Sequence, residues 1–182
     1  VDYCEAFSKR AFYISDSGDN VTAGAAGDNA YCLHFLLQSG KKGYLIAGIL
    51  DRPFVERCFA DKHTARLYCA IGAAEDSNST KVETEFEVLA RFSSDVGEVK
   101  DVNLVFAKTG ENYLLVTDKR CSFTFEEEIV KYAGPLSVYT GVFVKLGYLF
   151  PDLVKNAAGY VIALTPGNAC LDKKQVVYKN AT

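Results

Sequence analysis

The chain has 182 residues, 49% hydrophobic and 24% charged, which is typical of one globular domain with a sizeable core. Its 20 basic and 23 acidic residues give a formal net charge of -3 without a long Lys/Arg run, which argues against a nucleic-acid partner. The apolar stretches, such as 44–50, are far shorter than the roughly 18 residues of a membrane span, which excludes a transmembrane segment. We therefore expect a single domain over residues 1–182.

Cysteines and glycosylation sequons indicate the compartment. Six cysteines in a chain of this size are typical of three disulfide bonds in an extracellular protein. The chain contains no Met and opens at Val1, as expected of a mature product whose signal peptide has been removed. We therefore predict a secreted glycoprotein carrying N-linked sugar at three Asn-x-Thr or Asn-x-Ser sites, Asn20, Asn78 and Asn180.

The first half of the chain predicts two β-hairpins. Each pairs two runs of aromatic and branched residues around a short polar or glycine-containing connection. In the second hairpin, Cys58 and Cys69 stand at about equal distances from the turn. The four predicted strands are 30–37, 44–50, 54–59 and 65–71.

The second half of the chain continues this pattern and ends with a helix. Residues 82–92 alternate polar and apolar side chains, as in a strand with one buried face. Pro151 and the helical spacing of apolar residues predict an amphipathic helix over 150–164. The other predicted strands are 102–107, 113–125, 136–146 and 175–178.

Side chains that could support catalysis are few. The only histidines are His34, in an apolar predicted strand, and His63, in a predicted turn, and no Cys/His spacing fits a zinc site. The three carboxylates of 126–128 are typical of a solvated turn, and Gly24 and Gly27 of a flexible loop. The residues therefore predict a protein that is not an enzyme and needs no cofactor or metal.

Residues 105–116, Val-Phe-Ala-Lys-Thr-Gly-Glu-Asn-Tyr-Leu-Leu-Val, resemble a hairpin of the lipocalin family, and Cys32, Cys121 and Cys170 fall near cysteines of its arthropod members. The resemblance implies an eight-stranded antiparallel up-and-down barrel with one C-terminal α-helix. It also implies three disulfide bonds, Cys4–Cys121, Cys32–Cys170 and Cys58–Cys69.

A lipocalin-like barrel implies a carrier of a small hydrophobic or amphipathic ligand in a central calyx. With 12 Phe and 11 Tyr, aromatic rings could line such a calyx or simply fill the interior, and the sequence favours neither. The alternative is a secreted β protein that binds a protein partner through its surface, as a host-modulating, immune-evasion or adhesion factor. The residues predicted to line the calyx are Phe35, Phe86, Val88, Phe106, Tyr113 and Leu115.

Overall fold

The computed structural model describes residues 11–172 and 174, which form an open mixed sheet covered by helices on both faces. Four helices accompany the sheet in this part of the chain: α1 Tyr31–Ser39, α2 Arg52–Ala60, α3 Glu126–Ala133 and α4 Pro151–Asn156. The strands are β1 Phe12–Asp16, β2 Tyr44–Leu50, β3 Arg66–Ile71, β4 Val82–Val96, β5 Val99–Thr109, β6 Asn112–Thr117, β7 Gly141–Val144 and β8 Gly159–Ala163.

The sheet has a parallel and an antiparallel half, in the order β3-β4-β5-β6-β2-β7-β1-β8. Strands β6, β2, β7, β1 and β8 pair in parallel, whereas β3, β4, β5 and β6 pair antiparallel. Every residue of β1, β2 and β7 is buried. Both faces of these strands are covered, so their sequences are mainly apolar and lack the alternation of polar and apolar residues seen in a half-exposed strand.

Helices cover the two faces of the sheet in a regular way. Helices α1 and α2 pack on one hydrophobic core, through Leu33, Leu36 and Phe54 among others. Helices α3 and α4 pack on the second core, through residues such as Ile129 and Leu153. The connections after β1 and β2 therefore cover one face, and those after β6 and β7 cover the other.

The predicted closed antiparallel barrel is wrong, because the sheet is open and most of its strand pairings are parallel. The predicted strands 30–37 and 54–59 are instead the helices α1 and α2. Helix α2 begins at an N-cap, Asp51, whose side chain accepts a hydrogen bond from Phe54 N (2.9 Å), with Pro53 in the first turn. These starting signals decide the segment against a strand.

The predicted C-terminal helix over 150–164 is also wrong. Helix α4 ends at Asn156, and the chain then enters β8, which pairs in parallel with β1. The predicted strand 113–125 stops at Thr117, and 136–146 contributes only Gly141–Val144 as strand. Strands at 44–50, 65–71, 82–92 and 102–107 are confirmed, and 175–178 lies outside the described residues.

Candidate functional site at the carboxyl edge of the sheet

Polar residues collect where the parallel strands end. Asp16 is the last residue of β1, Asp19 and Asn29 lie in the connection to α1, and Lys145 directly follows β7. Thr165 follows β8 and completes the group. In open α/β sheets, this carboxyl edge is the usual place for ligand sites. We call these five residues the lysine cluster; all are buried.

Lys145 holds the lysine cluster together. Its Nζ lies 2.9 Å from Asp16 Oδ2 and 2.8 Å from Asp19 Oδ2, and it also donates to the backbone oxygen of Asn29. The three charged side chains are only 2–4% exposed. The ammonium group therefore uses its three protons on three acceptors, and no hydrogen remains for another ligand.

The charge of Lys145 is secured by its surroundings. Burial lowers the pKa of this amine, but the carboxylates of Asp16 and Asp19 raise it by more, so the net pKa lies above the ordinary value. The neighbouring thiol of Cys32 behaves differently, because burial and then the charge of Asp16 raise its pKa well above the usual value. At neutral pH the cluster holds an ammonium ion, and Cys32 is a protonated thiol.

The loop after β1 is fixed by the same carboxylates. Asp19 accepts hydrogen bonds from Gly27 N through Oδ1 and from Asn29 N through Oδ2, both at 2.8 Å. At Gly18, an added Cβ would lie 2.2 Å from the backbone oxygen of Thr165, so only glycine permits this close approach. The lysine cluster therefore holds the backbone of the loop after β1 in place and offers neither an accessible base nor a free carboxylate.

The arrangement does not fit a metal ion. Within residues 11–172 and 174, no group of three or more His, Cys, Asp and Glu side chains could hold one. The two carboxylates best placed at the edge, Asp16 and Asp19, already face the ammonium group of Lys145. His34 and His63 are exposed, the first on α1 and the second in the turn after α2.

A cleft opens at the same edge, beside the lysine cluster. It encloses about 420 Å³ and is bounded by the loop after β1, the β4–β5 turn and the segments after β6 and β7. We call it the carboxyl-edge cleft. Its lining residues are Val21, Thr22, Val96, Gly97, Glu98, Val99, Arg120, Cys121, Ser122, Thr124, Phe125 and Phe150.

Two hydrogen bonds connect the cluster to this cleft. Val21 N donates to the backbone oxygen of Lys145 at 3.2 Å, and Arg120 Nη2 donates to the backbone oxygen of Val21 at 2.5 Å. The loop that carries Val21 is thus held between β7 and the segment after β6. The lysine cluster thereby fixes one wall of the cleft.

The structure does not bring the predicted calyx residues together. Phe86 and Val88 belong to the core under α1 and α2, whereas Leu115, Phe106 and Tyr113 pack in or against the core on the opposite face. Phe35 lies on α1 and is 41% exposed. Because an open sheet separates these groups, no barrel interior exists for them to line, and the predicted calyx is wrong.

The predicted disulfide bonds are also wrong. Cys32, Cys58, Cys69 and Cys121 are free, buried thiols, and each predicted bridge requires at least one of them. Cys58 lies on α2 rather than on a strand facing Cys69, which removes the geometry on which that pair was based. The prediction of a secreted protein therefore loses its cysteine argument and stays a prediction.

The sequons differ in their surroundings. Asn20 is only 6% exposed, and its Oδ1 accepts hydrogen bonds from the N and Oγ1 atoms of Thr22 at 3.0 and 2.7 Å. Asn78 is exposed, in the β3–β4 connection, and donates from Nδ2 to Asp76 Oδ1 at 3.0 Å. Asn180 lies outside the described residues. Glycosylation stays a prediction at these sites.

The sequence contained signals for the lysine cluster that its analysis missed. Lys145 is the one charged residue in the apolar run 141–150, and a lone charge in such a run is rarely buried without a partner. Asp16 and Asp19 lie two and five positions after the apolar residues 11–14. The carboxylates 126–128, predicted as a solvated turn, form the first turn of α3, where acidic residues favour the helix dipole.

The fold and the edge define the class of the protein. An open sheet with parallel central strands, helices on both faces and polar groups at the carboxyl edge is an α/β domain of the doubly wound type. No helix in the described part of the chain is long and apolar enough to cross a membrane.

The chain belongs to the MlrC C-terminus family, whose model matches residues 14–180. Its fold is similar to a crystal structure described as "Putative metallopeptidase" from Mesorhizobium sp. BNC1, with a TM-score of 0.76 and 16% sequence identity. The similarity covers 92% of this chain but only 36% of the Mesorhizobium chain. No curated protein matches the sequence. The family replaces the predicted lipocalin relationship, which is wrong.

Proposed function

We propose that this chain acts as the C-terminal domain of a metal-dependent peptide hydrolase of the MlrC type. The metal ligands would then lie outside residues 11–172 and 174, on the same polypeptide or on a partner. Two comparisons support this proposal: the family match over residues 14–180 and the metallopeptidase description of a protein about three times as long as the matched region. The carrier function and its alternative, a secreted β protein acting through its surface, are withdrawn, since the comparisons support neither. The expectation that the protein is not an enzyme depended on the scarcity of catalytic side chains in this chain, and the two comparisons contradict it.

The main support for the proposal is that the carboxylates at the carboxyl edge are already paired with an ammonium group. Asp16 and Asp19 are placed where α/β enzymes usually bind ligands, but the ammonium of Lys145 occupies the position that a cation would need. A domain with this edge supports an active site rather than supplying its metal ligands. We therefore assign it the task of holding the loops that border the site.

The lysine cluster and the neighbouring residue Asp28 perform this task through their contacts with the backbone. Asp19 orders the connection from β1 to α1 through Gly27 N and Asn29 N, and Asp28 accepts hydrogen bonds from Glu75 N and Asp76 N, both at 2.7 Å. The loops after β1 and β3 are thereby joined at one edge. Groups held on fixed loops bind a substrate without the cost of ordering them first.

The proposal is tested on the protein isolated from its source by an affinity tag at the native locus. We expect hydrolysis of a peptide library by a species larger than 19.9 kDa, lost on treatment with 1,10-phenanthroline and restored by Zn²⁺ or Mn²⁺. The 182-residue chain produced alone should contain no stoichiometric metal by mass spectrometry and should not hydrolyse the library.

Two results would overturn this assignment. One is a native species that shows no chelator-sensitive hydrolysis of any peptide in the library. The other is metal-dependent hydrolysis by the 182-residue chain itself, which would place the metal ligands within this domain. Lys145 has no catalytic role in this proposal. If the lysine cluster supports the site, Lys145→Met in the tagged native protein should lower the hydrolytic activity together with the thermal stability.

A further inference from the structure

The carboxyl-edge cleft has the size and the shape of a ligand site. Its volume of about 420 Å³ falls in the range of pockets that take small molecules or a few residues of a peptide. It lies at the ends of β6 and β7, whose following helices cover one face, and of β1, whose following helix covers the other. Such a change of side along the sheet leaves a crevice at the strand ends.

Arg120 contributes a positive charge to the cleft. Its side chain bonds the backbone oxygen of Val21, but it forms no salt bridge with any carboxylate in residues 11–172 or 174. Two carboxylates close to Arg120 in sequence are engaged elsewhere: Asp118 accepts two hydrogen bonds from Asn103, at 2.9 and 2.8 Å. Glu128 caps the start of α3 through Thr124 N and Phe125 N.

One acidic residue does share the rim. Glu98 is exposed in the β4–β5 turn and lines the cleft. It forms no salt bridge with Arg120. The guanidinium group of Arg120 keeps free N–H donors in a planar arrangement, which matches the two oxygens of a carboxylate.

Exposed aromatic rings flank the same cleft. Phe125 is 48% exposed, and Phe150 stacks on Tyr148, with ring centroids 5.7 Å apart and planes inclined by 6°. Tyr148 itself is 63% exposed. Aromatic and arginine side chains clustered in this way are enriched at binding surfaces, since each presents a large area at a small cost in conformational entropy.

We propose that the carboxyl-edge cleft binds the carboxyl-terminal residue of a peptide, with its carboxylate on Arg120 and its apolar side chain against Phe125 and Phe150. This inference rests on the proposed function, because it names the substrate class of the same edge. Arg120 supplies the selectivity for a free carboxylate. The aromatic rings supply affinity for a side chain whatever the chemistry of the terminus.

The test compares two fluorescein-labelled forms of the tripeptide glycyl-alanyl-phenylalanine, one with a free carboxylate and one with a carboxamide. Binding to the 182-residue chain is followed by fluorescence anisotropy. We expect the acid to bind at least about ten-fold more tightly than the amide, the ratio expected for a charged hydrogen bond. Arg120→Gln should reduce the affinity for the acid to that for the amide, and Phe125→Ala should weaken both.

Matched controls come from β3, at the far edge of the sheet. Arg66→Gln and Tyr68→Ala remove an exposed guanidinium group and an exposed ring outside the cleft and should change neither affinity. Circular dichroism confirms that each variant is folded. If Arg120→Gln fails to fold because its bond to Val21 is lost, the comparison of acid and amide on the unaltered chain still decides the question.

Three results would overturn the inference: equal affinities for acid and amide, no binding of either peptide, or an unchanged ratio in folded Arg120→Gln. The measurement needs neither a metal nor turnover. If the chain does not discriminate the two peptides, the result of the chelator experiment on the native protein is unaffected. If the native protein shows no chelator-sensitive hydrolysis, the peptide binding of the 182-residue chain is likewise unaffected. The two proposals can thus be rejected separately.

Discussion

Replacing Lys145 with methionine should destabilise the domain strongly, because it leaves Asp16 and Asp19 buried without a cation. The side chains of both carboxylates are at most 4% exposed, so water cannot replace the lost ammonium group. Removing one partner of a buried ion pair costs about 3–5 kcal/mol. Domains have a total unfolding free energy of about 5–15 kcal/mol, so the variant should lose a large part of it.

The pH dependence distinguishes this mechanism from simple loss of packing. In the unaltered protein the pKa of Lys145 is raised above its ordinary value. Its contribution to the unfolding free energy is therefore complete at any pH below the ordinary pKa and is lost only as the pH rises through the higher pKa of the folded state. This group therefore adds no slope near neutral pH. In Lys145→Met the buried negative charge has lost its cation, and acid removes that charge, so the deficit should shrink as the pH is lowered.

Urea unfolding followed by circular dichroism measures both effects, since the chain contains no Trp for fluorescence. A loss of about 3–5 kcal/mol corresponds to a fall in Tm of roughly 6–20 °C for a domain of this size. The matched control is Lys100→Met, whose Nζ lies 2.8 Å from Asp95 Oδ2 but whose side chain is 71% exposed. It should leave the unfolding free energy nearly unchanged. If Lys145→Met is no less stable than this control, or its deficit does not depend on pH, the argument from the buried charges is refuted.

Three further predictions follow from contacts elsewhere in the domain. Burial raises the pKa of Asp51 despite hydrogen bonds from Phe54 N and Gly72 N, so its contribution to the unfolding free energy should fall as the pH rises above the ordinary carboxylate pKa near 4. In urea unfolding at a series of pH values, Asp51→Asn should therefore become more stable relative to the unaltered protein over this rise in pH. A difference in stability that does not change with pH would contradict this. Gly18→Ala forces a Cβ against the backbone oxygen of Thr165 and should lower Tm by more than Gly110→Ala, whose Cβ would meet nothing within 4 Å; equal shifts would exclude the close approach. Alkylation of the unreduced chain, read by mass spectrometry, should label four buried thiols after denaturation and label them little before it: Cys32, Cys58, Cys69 and Cys121. A disulfide bond between any two of them would refute this prediction.

Two kinds of local signal placed strands correctly: the run of aromatic and branched residues at 44–50 and the polar–apolar alternation at 82–92. Residues 82–92 alternate because one face of β4 is wet, and the alternation is visible without knowing the neighbouring strands. By contrast, Phe12–Asp16 was missed because a strand buried on both faces has no alternation. Residues 30–37 and 54–59 were predicted as strands since short apolar runs fit either a helix or a strand. Two local signals were not used to decide: Asn29, whose Oδ1 accepts a hydrogen bond from Tyr31 N at the start of α1, and the N-cap Asp51 of α2.

Composition and local pattern by themselves showed that the chain has no apolar run long enough to span a membrane, and they placed four of its strands. Only the tertiary structure decided that the sheet is open and mostly parallel, because the direction of a strand depends on connections that its own residues do not encode. The lysine cluster was decided in the same way. Lys145 and Asp16 are 129 positions apart and meet only because β7 is inserted beside β1, where a buried ammonium group is stable only with carboxylates around it.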